Sequence, residues 1–199
     1  MSGWLPFVTR RDVVLIDDPT GHVRYEPDFV DAEEAAVWMD SLHASLPWRA
    51  QRRMMYERDV AVPRLTAHLH RDDPDLPPFL VQLAERLDRE CGVHFDSLGF
   101  NLYRDGNDSV APHNDRLTEL VDGAPIALVS LGVTRSMVIT TKSRPVRSLH
   151  LPLEAGSLLV MDWRSQHHYD HAIPKERHVS GARISIAFRC RREGGTRWR

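Results

Sequence analysis

Four His-x-Asp triplets stand in this sequence: His70/Asp72, His94/Asp96, His113/Asp115 and His168/Asp170. In an extended segment the side chains at i and i+2 project to one side, so each triplet could offer an imidazole and a carboxylate to a single metal ion. Spacing alone selects none of them, and context has to choose. His70/Asp72 falls in RDDPDLPP, residues 71–78, a proline- and acid-rich stretch that reads as a solvated loop. His94/Asp96 follows Gly92, where a glycine stop ends a helical pattern, and reads as a connector. His113/Asp115 follows the turn signal RDGNDS and precedes a series of β-rich runs, which places it at the mouth of a barrel, where binding sites are built. The histidine-dense run from Gln166 to His171 follows an apolar strand, and one of His167, His168 and His171 could complete a site with His113 and Asp115.

A second constellation is cationic. In the run Arg183 to Arg189, Ile184, Ile186 and Phe188 alternate with Arg183, Ser185, Ala187 and Arg189, the period of a strand. On a solvated face the two arginines would be ordinary surface residues; on an interior face they need anions. Six residues of strand separate their Cα atoms by about 20 Å, and two extended side chains leave about 6 Å between the guanidinium groups. That gap suits a small dicarboxylate, which arginine forks bind in bidentate fashion.

The elements that must position these groups are legible in outline. Pro27 to Leu42 carries apolar residues at mixed spacings of three and four, with Asp28 and Asp31 as candidate N-caps. Pro77 to Cys91 repeats the pattern with Leu80, Leu83, Ala84 and Leu87, and Gly92 supplies its stop. From Leu98 the character changes to short β-rich runs: Phe100–Tyr103, Ile126–Leu131, Ser136–Thr140, Ser148–Leu151, Ser157–Met161 and Arg183–Arg189. Several short strands divided by turns predict a sandwich or closed barrel.

Composition sets the frame. With 199 residues, 42% hydrophobic and 27% charged, the chain fits one compact domain and excludes disorder, coiled coil and collagen. No apolar stretch approaches the length a membrane-spanning helix needs, and MSGWLPFVTRR does not read as a secretory signal, so a cytoplasmic location is expected. Cys91 and Cys190 make neither a disulfide framework nor a metal knuckle and read as reduced packing residues. The net charge of -2 hides an uneven distribution: residues 1–48 and 72–100 are acidic, whereas 49–71 and 101–199 are basic. A local basic patch sets its own field, so an anionic partner is compatible with the neutral total.

Taken in order, Asn101-x-Tyr103-Arg-Asp-Gly-Asn-Asp108, His113-x-Asp115, Pro125-Ile126, Ser130-Leu131-Gly132-x-x-Arg135, Gly156-Ser157-Leu158-Leu159, Tyr169-x-His171-x-Ile-Pro174 and Arg183-x5-Arg189 resemble the AlkB family of Fe(II)- and 2-oxoglutarate-dependent dioxygenases. The resemblance begins near Trp48, includes Pro63-Arg64-Leu65-Thr66-Ala67, and does not cover residues 1–47. It implies a mostly β fold with N-terminal helices and a double-stranded β-helix, or jelly-roll, core. With the length and composition above, one catalytic domain over 1–199 is expected, with helices and a substrate lid in 1–98 and the core in 99–191. The metal ligands implied are His113, Asp115 and His171; the cosubstrate residues are Arg183 and Arg189, with Asn101 and Tyr103 on a neighbouring strand. Fe(II) and 2-oxoglutarate are thereby the expected cofactor and cosubstrate, and oxidative demethylation of alkylated bases in DNA or RNA the expected reaction.

The departures from the family pattern lie around the substrate. Where relatives place asparagine two residues after the first arginine, this chain has Ser185; where many carry an acid after the aspartate ligand, it has Arg116. After Ala67, in place of an aromatic pair and a tyrosine-rich hairpin, it has His68-Leu69-His70. Arg64, His68 and Arg116 are therefore the candidate substrate residues, the arginines of 49–71 the candidate phosphate contacts, and single-stranded nucleic acid the expected partner. Two alternatives stand beside this reading: a hydroxylase or demethylase of the same chemistry acting on a protein or small molecule, and a metal-holding barrel that binds without turnover.

Overall fold

The structure, a computed structural model, describes residues 12–55 and 58–192, and of residues 51–61 only the backbone. The expectations placed on MSGWLPFVTRR and on the side chains of Arg52, Arg53 and Arg58 lie outside the described residues.

A hairpin of β1 (Val13–Asp18) and β2 (Gly21–Glu26) leads into α1 (Ala32–Ser45), followed by the hairpin β3 (Arg49–Met55) and β4 (Arg58–His70) and by α2 (Pro78–Cys91). Then come β5 (Ser97–Tyr103), β6 (Val110–His113), a single 3-10 turn at Leu117–Glu119, β7 (Ile126–Gly132), β8 (Arg135–Thr141), β9 (Ser148–Leu153) and β10 (Leu158–Met161). The short helix α3 (Trp163–His168), β11 (Tyr169–Ile173) and β12 (Arg183–Arg189) complete the order. Eight strands form one sheet in the order β1-β2-β10-β7-β12-β5-β4-β3, and four form a second in the order β6-β11-β8-β9. Neighbours in both are antiparallel. This is the jelly-roll core that the motifs imply.

Both faces of the large sheet are covered, which explains why its central strands read as nearly continuous apolar runs. One face receives the helices: Leu42 of α1 and Leu80, Leu83 and Leu87 of α2 share a core with Leu98, Phe100, Ile184, Ile186 and Phe188. The other packs on the small sheet, where Tyr103, Leu128 and Ala187 meet Met137, Ile139, Leu151 and Ile173. β12 is buried on both sides, so the face that carries Arg183 and Arg189 is the interior between the sheets and not solvent.

Local chemistry sets the helix limits. α1 begins at Ala32 and not at Pro27, because Asp31 is the residue whose carboxylate accepts the Glu34 N–H, whereas Asp28 sits at φ 55° in the approach. α2 ends on Gly92, left-handed at φ 68°, whose N–H returns to the Asp88 carbonyl. Segment 1–98 contributes more than helices and a lid: β1 to β4 extend the large sheet at both of its edges. The charges and turn residues that interrupt VVLIDDPTGHVRYE masked that pairing in the sequence. Among the described residues no helix is long and apolar enough to cross a membrane.

Candidate active site

Antiparallel pairing of β6 with β11 sets His113 directly opposite His171, and the chain returns Asp115 to the same place two residues on. The imidazole centroids lie 4.4 Å apart. One ligand atom from each of His113, Asp115 and His171 falls within 4.8 Å of the others. His167 and His168, the other candidates for the third position, are exposed on α3. His113 Nδ1 lies 2.9 Å from the Ala111 carbonyl, a contact that fixes the proton on Nδ1 and leaves Nε2 as the lone-pair nitrogen.

Electrostatics prepares Asp115 and His171. Burial would raise the Asp115 carboxyl, but the Arg189 charge and its hydrogen bonds prevail and hold the group at about 2. That fork is bidentate, with Nε at 2.9 Å and Nη2 at 3.0 Å from the two carboxylate oxygens. Burial, followed by the neighbouring His113, pushes the His171 imidazole down to about 4, so it is neutral at physiological pH. An ionised carboxylate and a neutral imidazole are the protonation states in which these two groups can hold a metal ion.

Beside this triad a pocket opens between the sheets, with Arg64, Asn101, Tyr103, Arg183, Ser185 and Arg189 on its polar side. Val110, Leu128, Met137 and Ile173 close it with apolar surface. At its inner end Arg183 is only 1% exposed. Its Nη2 donates to Ser130 Oγ at 2.8 Å, while Nε and Nη1 have no hydrogen-bond partner among the described residues. Burial draws this guanidinium down to about 10, so it stays charged at neutral pH. A buried cation with two donors unmet is costly unless an anion occupies the pocket. The Tyr103 ring stands 5.5 Å from that guanidinium, and burial raises its phenol above the usual range. Asn101 Oδ1 accepts from Arg64 Nε at 2.7 Å, which lays Arg64 along the pocket wall.

The structure thus brings together His113, Asp115, His171, Asn101, Tyr103, Arg183, Arg189 and Arg64. His68 and Arg116 stand apart from the pocket lining. His68 faces Ser97, Nε2 to Oγ 2.8 Å, with the His70 ring edge-on at 4.7 Å; burial, then His70, pushes it down to about 4. Arg116 is two-thirds exposed and pairs with Glu119 at 3.1 Å.

Arg135 has a role that its place in a motif did not reveal. It is 1% exposed, pairs with Glu176 at 2.9 Å, and donates to the carbonyls of Asp105, Asp108 and Pro174. It bolts the loop before β6 to the loop after β11, the two strands that carry the histidines. Only a buried arginine in a strand otherwise apolar on that face could have signalled this. Lys142 and Gln166, which touch the ligand segment, likewise fell outside every expectation.

A family model described as the 2OG-Fe(II) oxygenase superfamily matches residues 22–189. The human protein named alpha-ketoglutarate-dependent dioxygenase alkB homolog 3 is 32% identical over 192 residues, covering 86% of this chain and 67% of that protein. Human DNA oxidative demethylase ALKBH2 is 34% identical over 119 residues, 56% of this chain and 46% of its own length. The chain spans about two thirds of the length of the alkB homolog 3 proteins it matches. In fold it is similar to a 2OG-Fe(II) oxygenase family oxidoreductase from Burkholderia pseudomallei, with a TM-score of 0.59, 17% identity and 89% of each chain covered.

Proposed function

We propose, from the premise that this chain belongs to the AlkB family within the 2OG-Fe(II) oxygenase superfamily, that it oxidatively demethylates alkylated bases in nucleic acid. One observation carries the reading: a His/Asp/His set and a buried, incompletely paired arginine share one pocket between two sheets. The donor set fits Fe(II), since two imidazoles and a carboxylate are what non-haem iron takes. The pocket fits 2-oxoglutarate, because Arg183 needs an anion.

In this reading His113, Asp115 and His171 hold Fe(II), and Arg183 takes the distal carboxylate of 2-oxoglutarate with its Nε and Nη1. Arg189 serves the end near the metal while keeping Asp115 ionised, and Asn101, on the same pocket wall, adds a polar contact. Tyr103 packs its ring against the Arg183 guanidinium and limits where the cosubstrate can lie. Leu128, Met137 and Ile173 keep water from the reacting centre. Bound there, Fe(II) with 2-oxoglutarate and dioxygen supplies the power to hydroxylate an N-methyl group, whose product loses formaldehyde and restores the base.

The similarity to ALKBH2, named a DNA oxidative demethylase, supports a nucleic-acid substrate. At the end of β4 the His68 ring is held by Ser97 and meets the His70 ring edge-on, so these two histidines are engaged with their neighbours and not offered as a stacking plane to a base pulled from a duplex. Single-stranded substrate is therefore preferred. The test is to supply anaerobically purified protein with Fe(II), 2-oxoglutarate, oxygen and methylated oligonucleotides while following succinate and formaldehyde. Both products, dependent on the methylated strand, support the reading; absence of formaldehyde with active, metal-loaded protein overturns it.

A further inference from the structure

Two residues that no part of this reaction uses converge on the segment that carries the ligands. Gln166, on α3 and 2% exposed, accepts the Asp115 N–H on its Oε1 at 3.1 Å. Lys142, just after β8, donates from Nζ to the Gln166 carbonyl at 2.8 Å and to Asn114 Oδ1 at 3.0 Å. The same ammonium lies 3.6 Å from Asp170, the residue before His171, and the Lys142 N–H donates to the His168 carbonyl. Asn114, between the two ligands of the triplet, donates in turn to the Asp115 carbonyl at 2.8 Å. One hub therefore touches Asn114, Asp115 and Asp170, and so both stretches of chain from which the ligands project.

The hub is itself rigidly seated. Asp162 caps α3 by accepting the Ser165 N–H at 2.8 Å. Behind the helix the β1–β2 turn approaches so closely that a Cβ at Gly21 would stand 2.9 Å from Ser165 Cβ. Asp115 follows β6 and belongs to no strand or helix, so its N–H has no ladder partner, and Gln166 supplies the acceptor that an element would have given.

We propose that Gln166 and Lys142 are positioning residues that hold Asp115 in the orientation needed to ligate the metal. The inference rests on the metal centre read above and not on the identity of the substrate. A ligand whose backbone is left free must be ordered when the metal arrives, and groups that orient ligands in this way typically alter metal affinity by about 10- to 100-fold.

The test measures binding of Co(II) alone, under nitrogen, to wild-type protein, Gln166→Met, Gln166→Glu, Lys142→Met and Lys142→Arg, together with the melting temperature of each metal-free protein. Gln166→Met keeps the volume and removes the acceptor, so it should weaken Co(II) binding about tenfold or more. Gln166→Glu keeps an acceptor and should recover most of the affinity. Lys142→Met should weaken binding about threefold to tenfold and Lys142→Arg less, which keeps the question answerable should the buried glutamine variant fail to fold. A lower melting temperature with unchanged Co(II) affinity in both methionine variants would reduce the hub to scaffolding and overturn the proposal. Wild-type protein that binds no Co(II) would overturn it too, together with the metal centre. Inactivity towards every methylated base, with Co(II) binding as expected, would overturn only the proposed substrate.

Discussion

Arg183 shows what a single interior charge demands. Its guanidinium is buried with Nε and Nη1 unmet, so geometry as well as charge decides its value to a cosubstrate. Lysine at this position keeps the charge but loses the fork. Arg183→Lys is expected to raise the 2-oxoglutarate concentration needed for half-maximal succinate formation by about tenfold or more. Arg104→Lys, on a half-exposed residue paired with Asp108, should shift it far less. Equal, small shifts in a titration of the two variants would remove Arg183 from the cosubstrate site. His68 gives a second prediction at this scale. Its folded value of about 4 lies below the 6.5 of a free histidine, so the unfolded chain binds the proton more tightly. Stability from this group is complete above pH 6.5 and is lost as pH falls towards 4. His68→Gln should therefore lose less stability over that window than wild type, read from urea midpoints at several pH values. The convergence of His113, Asp115 and His171 was legible in the sequence by the order of many separated motifs, although four His-x-Asp triplets competed on spacing alone. Gln166 was not legible, because its partner lies 51 residues away and an amide carries no pattern.

Among the elements, β12 and α2 announced themselves and the first hairpin did not. β12 alternates cleanly because one face meets helices and the other lines a polar pocket; α2 carries one apolar face and a glycine stop. β1 and β2 are short and interrupted by charge, and the pairing of β2 with β10 is a long-range fact. α3 has six residues, too few to show a period. The bolt between elements is Arg135. Replacing it by methionine removes the charge that pairs with Glu176 and a donor to three carbonyls, so Arg135→Met should cost on the order of 3 kcal/mol in chemical denaturation. Because it joins the loops that flank β6 and β11, the same variant should also weaken metal binding. A variant as stable as wild type would show that the loops hold without it.

For the whole molecule, the open question is how a long anionic strand would lie across it. The hairpin β3–β4 forms one edge of the large sheet and adjoins β5, which carries Asn101 and Tyr103, so the basic segment 49–71 stands beside the pocket. If its arginines neutralise phosphates, affinity for single-stranded oligonucleotide should fall steeply with salt, through release of condensed counterions. Arg52→Ala combined with Arg53→Ala should lower affinity similarly for all sequences, as backbone contacts do. Duplex should bind and react less well, because His68 and His70, held against Ser97 and each other, supply no stacking that would offset the few kcal/mol needed to extract a base. Affinities for single and double strands at two salt concentrations decide this. Absence of salt dependence, or a preference for duplex, would move the substrate away from unpaired nucleic acid.

The pairing of His113 with His171 across β6 and β11 also governs how this chain can vary in length. Successive residues of a strand point to opposite faces, so one residue gained or lost within Val110–His113 would carry an imidazole out of the pocket while leaving the composition almost untouched. The turn at 143–146, exposed and outside that ladder, faces no such parity rule. Descendants of this sequence are thus free to lengthen or shorten at that tip, whereas insertions or deletions in the three residues of β6 before His113 must come in pairs.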